Sequence, residues 1–285
     1  MAEIRKFALT VIDDFDNEID RFPLDYVETP KNLGFELEFT TLESQLTTYF
    51  TSAREKKLST ALSLIFTPPN AYRKVNAFKQ FVQRYTNSRI VFEYNDTTGE
   101  IKNWEGKVQK LGQEELTEWE GLVCPLTFLP GTPKYIRKDN TIGISLANKG
   151  KQYPYTYPYA YGTVKVENNE IHNTYFDEIP LRIYVYGDII NPVLSLYDSE
   201  TSEVYSTVRF KDLALTKDEH IILDSIQFKV WLWRDGKYIS GYDYIDKSEQ
   251  YDSFLFAREN ALSKLTVNLS SSASSVRASY RQYTL

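Results

Sequence analysis

The residue types that most often carry chemistry are few in this 285-residue sequence. It has two histidines, His172 and His220, and a single cysteine, Cys124, so no spacing of zinc ligands occurs. Cys124 lies in an apolar run, which favours a buried, inert thiol over a nucleophile. Neither histidine stands near a serine of a catalytic signature, and no phosphate-binding glycine loop is present. The sequence therefore predicts no enzyme activity, no metal site and no cofactor.

Two groups of carboxylates are the remaining candidates for acid–base or metal chemistry. Residues 13–20 are acidic, and Asp25 follows at the place of the last carboxylate of a calcium loop. Ile19, however, occupies the position where the sharp turn of such a loop needs glycine, so a solvated acidic loop is the favoured interpretation. A second group would suit a glycosidase only if two of its carboxyls faced each other across a cleft. This group consists of Asp235, Asp243 and Asp246.

Aromatic residues supply a candidate binding surface. Trp231 and Trp233 alternate along one predicted strand, so both lie on the same face, where an exposed pair would stack on a sugar. Alternating aromatics are more often core than site, so the favoured prediction buries the pair and turns Leu232 outward or towards an interface. Further tyrosines alternate around two prolines, Pro154 and Pro158. The candidate surface for a glycan or a protein partner consists of Trp231, Trp233, Tyr153, Tyr155, Tyr157 and Tyr159.

The elements that must position these residues fall into two halves. Prolines in residues 151–162 exclude helix and extend the residues before them, which predicts a semi-rigid hinge, as a strand or as polyproline II. Before this hinge, strands surround one predicted helix with a cap at Thr67 or Asn70. The predicted apolar face of that helix consists of residues three and four apart, namely Tyr72, Val75, Phe78, Val82 and Tyr85.

Alternating patterns predict strands on both sides of the hinge. Residues 34–41 alternate between apolar side chains and glutamates, and further strands are predicted at 45–52 and 58–66, with an exposed polar linker at 53–57. After the hinge, many short strands separated by turn residues predict an antiparallel sandwich. Asp235-Gly236, between two aromatic strands, predicts a tight hairpin.

Composition narrows the classes of function. Aromatic residues make up 15% of the chain and include 22 tyrosines, which favours β structure and extensive interfaces. The net charge is −6 without a basic stripe, so specific nucleic-acid binding is not expected. We expect no signal peptide and no membrane span, because no apolar run approaches about 20 residues. A single cysteine forms no intrachain disulfide, which suits folding in a reducing cytoplasm.

Segments from both halves resemble one known family. In the first half these are residues 25–37, the predicted helix and the hairpin after it. In the second half they are residues 179–187, Ile190-Asn191-Pro192, Asp235-Gly236, and residues 242–246, 254–262 and 276–281. Together, in this order and spacing, they resemble the distal tail proteins (Dit) of long-tailed bacteriophages.

This resemblance implies a mainly β fold in two domains. It implies an N-terminal split β-barrel with one α-helix, the ring-forming domain, at residues 1–135. A Pro/Tyr-rich linker at 136–162 then leads to a C-terminal galectin-like antiparallel β-sandwich at 163–269. Residues 270–285 are expected to form a last strand that returns to the first domain.

The resemblance also implies a structural function in the virion. Family members form a hexameric ring at the tail tip or baseplate, between the major tail tube protein and the tail hub or tail-associated protein. Receptor-binding proteins are candidate partners of the second domain, which generally lacks a sugar site in this family. We expect assembly in the bacterial host cytoplasm, with no membrane and no nucleic acid as partner. The alternatives are a carbohydrate-binding adhesin that uses the β-sandwich and, less favoured, a cell-wall hydrolase.

Overall fold

The computed structural model describes residues 5–24, 27–43, 47–95, 100–114, 121–147, 163–269 and 274–284. In these residues the chain is mainly β, with antiparallel strands and one α-helix, as predicted. The chain divides into two compact units. The first consists of Met1–Arg137 with Tyr283–Leu285, and the second of Lys138–Gln282. No helix in the described residues has both the length and the apolar character that a membrane span requires.

The first unit is built on one antiparallel sheet, in the order β2-β1-β7-β8-β9-β6-β3. Among the described strands no pairing joins β2 to β3, so the sheet is open between two strands that are consecutive in sequence. A separate hairpin, β4–β5, pairs only within itself among these residues. The strands are β1 Lys6–Ile12, β2 Glu18–Leu24, β3 Val27–Lys31, β4 Leu37–Glu43, β5 Thr48–Glu55, β6 Thr60–Phe66, β7 Arg89–Asn95, β8 Ile101–Leu111 and β9 Leu122–Pro130.

One helix, α1 (Ala71–Arg84), covers the core of this sheet. Val75 and Phe78 are buried as predicted, but Phe81 is buried too and Tyr72 is 44% exposed, so the apolar face is rotated from the predicted one. Ala71 and Phe81, rather than Tyr72, complete the buried stripe at spacings of three and four. Asn70 precedes the helix with a left-handed backbone and makes no capping hydrogen bond with its side chain, so the predicted side-chain cap is wrong at this residue.

The second unit has two larger antiparallel sheets, each with buried apolar side chains on its inner face, and a two-stranded sheet of β14 and β17. One has the order β10-β23-β13-β18-β19-β20, and the other has the order β12-β22-β15-β16. Apolar residues with no exposed surface lie on both sheets, which is the pattern that a sandwich requires. The strands are β10 Tyr135–Ala147, β11 Thr163–Asn168, β12 Glu170–Asn173, β13 Ile179–Tyr186, β14 Ile189–Ile190, β15 Val193–Asp198, β16 Val204–Arg209, β17 Ala214–Leu215, β18 His220–Asp224, β19 Lys229–Arg234, β20 Lys237–Ser240, β21 Phe256–Ala257, β22 Ala261–Val267 and β23 Ser275–Tyr283.

Strand boundaries differ from the predicted ones in two places. Strand β10 occupies the first part of the predicted linker, because the alternating residues Ile142 and Ile144 are buried in a sheet. Strand β5 runs to Glu55 through residues that were expected to form a polar linker. At the C-terminus, the Thr284 N–H donates to the Lys134 carbonyl at 3.0 Å, and the Tyr283 ring lies 6.2 Å from that of Tyr135.

Candidate functional site

Strand β19 presents the two predicted tryptophans on its outer face. Val230 and Leu232 are buried, with 4% and 0% of their surface exposed, whereas Trp231 and Trp233 are only half-buried. The prediction that the tryptophan pair forms the core and Leu232 faces outward is therefore wrong. Alternation shows that Trp231 and Trp233 share a face, but the side that is buried is decided by the neighbouring strand, where Leu232 is paired with buried Ile221.

Trp233 belongs to a row of four aromatic side chains, one on each of four neighbouring strands. Tyr186, His220, Trp233 and Tyr238 stand directly opposite one another in the register of β13, β18, β19 and β20. Ring centroids are 5.1 Å apart for Tyr186 and His220, 6.0 Å for His220 and Trp233, and 4.7 Å for Trp233 and Tyr238. Tyr184 adds a fifth ring, nearly parallel to Tyr186 at 6.0 Å. We call these five residues the aromatic row.

Polar groups along the aromatic row are uncharged near neutral pH. His220 Nε2 lies 3.2 Å from the Tyr238 hydroxyl, which fixes both rings. Burial lowers the pKa of His220 and raises the pKa of Tyr186 and of Tyr238, so each keeps its neutral form. Beside the row, the Arg234 guanidinium forms an ion pair with Glu219, whose pKa this hydrogen bond lowers.

A buried ion pair supports the outer face of the same sheet. The Arg182 guanidinium donates to Asp224 Oδ2 from Nε at 2.9 Å and lies 2.8 Å from it through Nη2, with 4% and 2% of the two side chains exposed. The second oxygen of Asp224 accepts from the N–H groups of Ile226 and Gln227. Asp224 therefore joins β13 to the turn between β18 and β19, where Phe228 adopts a positive φ of 54° and is 63% exposed.

The other predicted candidates lie either outside the described residues or in local turns and the core. Residues 153, 155, 157 and 159 lie outside the described part of the chain, as does Asp25. Asp13 accepts hydrogen bonds from the N–H groups of Phe15 and Asn17, so the acidic loop is organised by its own backbone. Asp235 and Gly236 form the predicted hairpin turn, both with positive φ. Cys124 is fully buried, and burial raises the pKa of its thiol. Within the described residues no three His, Cys, Asp or Glu side chains converge on a possible metal position.

The β4–β5 hairpin is an apolar surface that sequence reasoning did not single out. Four large side chains on its strands are 49–70% exposed, and two of them, Phe39 and Phe50, contact each other with ring centroids 5.5 Å apart. The base of the hairpin is fixed by Lys56, whose N–H donates to the Glu36 carbonyl and whose ammonium pairs with the Glu36 carboxylate at 2.7 Å. The exposed side chains are Phe39, Leu42, Tyr49 and Phe50.

A groove lies where the sheet of the first unit is open. It has a volume of about 250 Å³ and is formed by the end of β2, the end of β6 and the first turn of α1. Lys74 lies at its rim, and its ammonium donates to the Thr67 carbonyl at 3.1 Å. The described helix is cationic, with Arg73, Lys74, Lys79 and Arg84 and no acidic residue. The apolar lining consists of Phe22, Pro23, Leu24, Leu64, Ile65 and Phe66.

Solved structures of a phage baseplate chain and of a Dit protein share this architecture. A chain of the phage p2 baseplate, in its activated conformation with Ca, matches at a TM-score of 0.66 and 15% identity, over 99% of both chains. The same baseplate with Sr matches at a TM-score of 0.65 and 14% identity, over 99% of both chains. The SPP1 Dit protein matches at a TM-score of 0.61 and 10% identity, over 98% of this chain and 99% of that one. It is described as a paradigm of the hub adsorption apparatus in phages that infect Gram-positive bacteria. The chain has the Dit fold.

The comparison therefore confirms the fold that the resemblance implied, over the full length of the chain. No protein-family model matches the sequence. No curated protein matches it either. At 10–15% identity, the similarity to the Dit fold is one of backbone architecture, so the side chains of this chain must carry any argument about function.

Proposed function

We propose that this chain is a structural component of a phage tail tip or baseplate, with no catalytic role. In this proposal, six copies form a ring that connects the tail tube to the tail hub, and the second unit is offered to receptor-binding proteins. The fold shared over the whole chain with a phage baseplate chain and with SPP1 Dit supports the tail-tip role. The ring rests on a side-chain observation in this molecule, namely the exposed β4–β5 hairpin.

The hairpin has no core of its own to cover. Both strands expose almost every residue, and an isolated two-stranded hairpin is at best marginally stable in water. Burying a large apolar side chain contributes about 1.5–3 kcal/mol, so the four exposed side chains favour contact with another surface. Phe39 and Phe50 already contact each other across the strands and form a preorganised apolar surface for that contact.

The groove at the open side of the sheet is the surface that fits this hairpin. It is apolar, like the hairpin, and it lies beside the cationic helix, whereas the exposed charges on the hairpin strands are Glu38, Glu43 and one cation, Arg54. The β2 edge next to it can pair with an added strand. A hairpin of one copy in the groove of the next is a head-to-tail contact, which closes into a ring when the rotation between copies divides a full turn.

Assembly can be tested with a double variant in the hairpin. Wild-type protein should form rings that mass photometry counts as six copies and that negative-stain electron microscopy shows directly. Phe39→Ser with Phe50→Ser should remain monomeric, because the apolar contact is lost. Phe228→Ser is the matched control, since it removes an equally exposed phenylalanine from the second unit and should leave the ring intact. A wild-type chain that stays monomeric at all concentrations would refute the proposed ring.

The contact itself can be tested by disulfide cross-linking. The native Cys124 is fully buried, so introduced cysteines report without background. Leu42→Cys combined with Lys74→Cys should give a ladder of linked copies that ends at six on a non-reducing gel, and neither single variant should give more than a dimer. Rings without a ladder would mean that the copies meet through a different surface.

A further inference from the structure

The aromatic row is not required by the core of the second unit. Its strands bury Val185, Ile221 and Leu232 completely on the inner face, and the row lies on the opposite face. The outer face of an antiparallel sheet is normally polar, because nothing covers it. Five aromatic rings side by side on that face therefore need a different explanation, and contiguous aromatic surface of this kind often marks a binding site.

We propose that the aromatic row binds a linear, uncharged oligosaccharide. The rings offer apolar faces, which suit the C–H faces of sugars. The Tyr238 hydroxyl, which shares one hydrogen bond with His220 Nε2, has capacity for a further hydrogen bond to a sugar hydroxyl. This site goes beyond the structural role proposed above, and it departs from what the Dit resemblance implies for the second domain.

The charges around the aromatic row argue against an anionic ligand. A nucleic acid needs several cations to neutralise its phosphates. Beside the row, however, Arg234 is neutralised by Glu219, and His220 is neutral near pH 7 because burial lowers its pKa. Arg277, which is exposed and lies opposite Tyr184, adds a hydrogen-bond donor at one end of the row. The row thus carries little net charge and three tyrosine hydroxyl groups, which suits an uncharged polar ligand.

The shape of the row favours a chain-like ligand over a protein surface. Neighbouring strands lie about 4.8 Å apart, so four rings in register extend over about 14 Å, which matches a few sugar rings placed end to end. Beside it on the same face, a second register row consists of Tyr184, Ile222, Trp231 and Ser240, so the apolar strip is two residues wide and ends at a serine. A protein docking site is usually broader, with its central aromatic anchors surrounded by further buried contacts.

A purely stabilising role is the alternative that the experiment must exclude. Cross-strand aromatic pairs contribute about 0.2–1 kcal/mol each to a sheet and need no ligand. If this were their only role, substitution of the rings would lower the stability of the second unit, and the row would bind no ligand. The decisive readout is therefore binding, measured on variants whose folding has been checked by thermal unfolding.

The test uses the full-length protein on an array of neutral hexasaccharides of glucose, galactose, rhamnose and N-acetylglucosamine. The hits are then titrated by calorimetry. Trp233→Ala and Tyr238→Ala should each weaken binding by about tenfold or more, because each removes a ring from the row. Tyr238→Phe should retain part of the affinity, since it keeps the ring and loses the hydroxyl. Phe228→Ala is the control, as it removes an exposed ring elsewhere in the same unit and should bind like the wild type.

Two outcomes would overturn the oligosaccharide site. One is a wild-type protein that binds none of the arrayed glycans. The other is binding that Trp233→Ala and Tyr238→Ala leave unchanged. Capture of other tail proteins through Trp233, without glycan binding, would assign the aromatic row to protein docking instead. Glycan binding is measured per chain, so the test can be interpreted even when no ring assembles. A ring that forms without binding glycans refutes only the oligosaccharide site.

Discussion

Two aromatic surfaces of this molecule look alike in sequence and differ in what lies beneath them. In the aromatic row, Trp233 and its neighbours rest on a sheet whose other face is fully buried at Leu232 and Ile221. In the β4–β5 hairpin, Phe39 and Phe50 pair across the strands with no core under either face. The row can therefore persist in a single chain, whereas the hairpin depends on another surface for its burial. Aromatic alternation in a sequence shows which side chains share one face of a strand. Only the tertiary structure shows whether a core lies beneath that face.

The strongest test of the support beneath the row is the buried ion pair. Arg182→Ala should destabilise the second unit by about 3–5 kcal/mol, because it leaves the Asp224 carboxylate buried without its guanidinium. Urea unfolding followed by tryptophan fluorescence measures this loss. Arg277→Ala, in the neighbouring strand β23, removes an exposed guanidinium and should change the free energy of unfolding by less than about 0.5 kcal/mol. An equal effect of the two variants would show that the pair gives no support.

Substitutions at adjacent residues of β19 compare its two faces directly. Leu232→Ala should cost about 2–5 kcal/mol, since it opens a cavity in the core. Trp233→Ala should cost only about 1 kcal/mol, because it removes aromatic contacts on the outer face. Both free energies can be taken from thermal or urea unfolding of the same preparation. The reverse order would restore the original prediction that the tryptophans form the core.

Acid should weaken the aromatic row through His220. Burial lowers its pKa below the value of 6.5 that applies in the unfolded chain, so between the two values the unfolded chain binds more protons than the folded one. Stability should therefore fall as the pH drops from above 6.5 to below the folded pKa, and it should be unaffected by His220 above that window. The difference in unfolding free energy between wild type and His220→Gln, followed from pH 8 to pH 5, isolates this contribution. A flat difference would contradict it.

The smallest effect on folding is expected in the hairpin. Phe39→Ser with Phe50→Ser should change the unfolding free energy of the monomer by no more than about 0.5 kcal/mol, because both side chains are largely exposed. The measurement is made at protein concentrations below those at which the wild type assembles. A loss of several kcal/mol would show that the hairpin packs against its own chain, and the contrast with the aromatic row would disappear.

Local signals in the sequence were sufficient for much of the fold. Asp235-Gly236 predicts a tight hairpin because both positions require positive φ, and the structure has this turn. Val75 and Phe78 place the helix correctly, and the short strands of the second half predict an antiparallel arrangement. These features are decided within a few residues, by backbone conformation or by helical periodicity.

Features decided between distant strands could not be predicted from local patterns. The inward side of β19 depends on its register with β18, which is set by pairs such as Leu232 with Ile221. Residues 34–41 have the alternation of a half-buried strand, yet β4 pairs only with β5 among the described residues and is exposed. The alternating side chains there are exposed, so their pattern does not report burial within the chain. The candidate site was therefore found in part, with Trp233 identified and its partners Tyr186, His220 and Tyr238 missed.

The separateness of the β4–β5 hairpin also bears on how such a protein can diverge. Among the described residues, the hairpin contributes no side chain to the core, so its residues are free of the close packing that constrains Leu9 or Phe92. In the ring proposed above, its residues contact only the neighbouring copy, so substitutions in that copy can be compensated by substitutions in the hairpin alone. Exchanging the β4–β5 hairpin between two such proteins would then change which subunits assemble with each other, without any change in the rest of either chain.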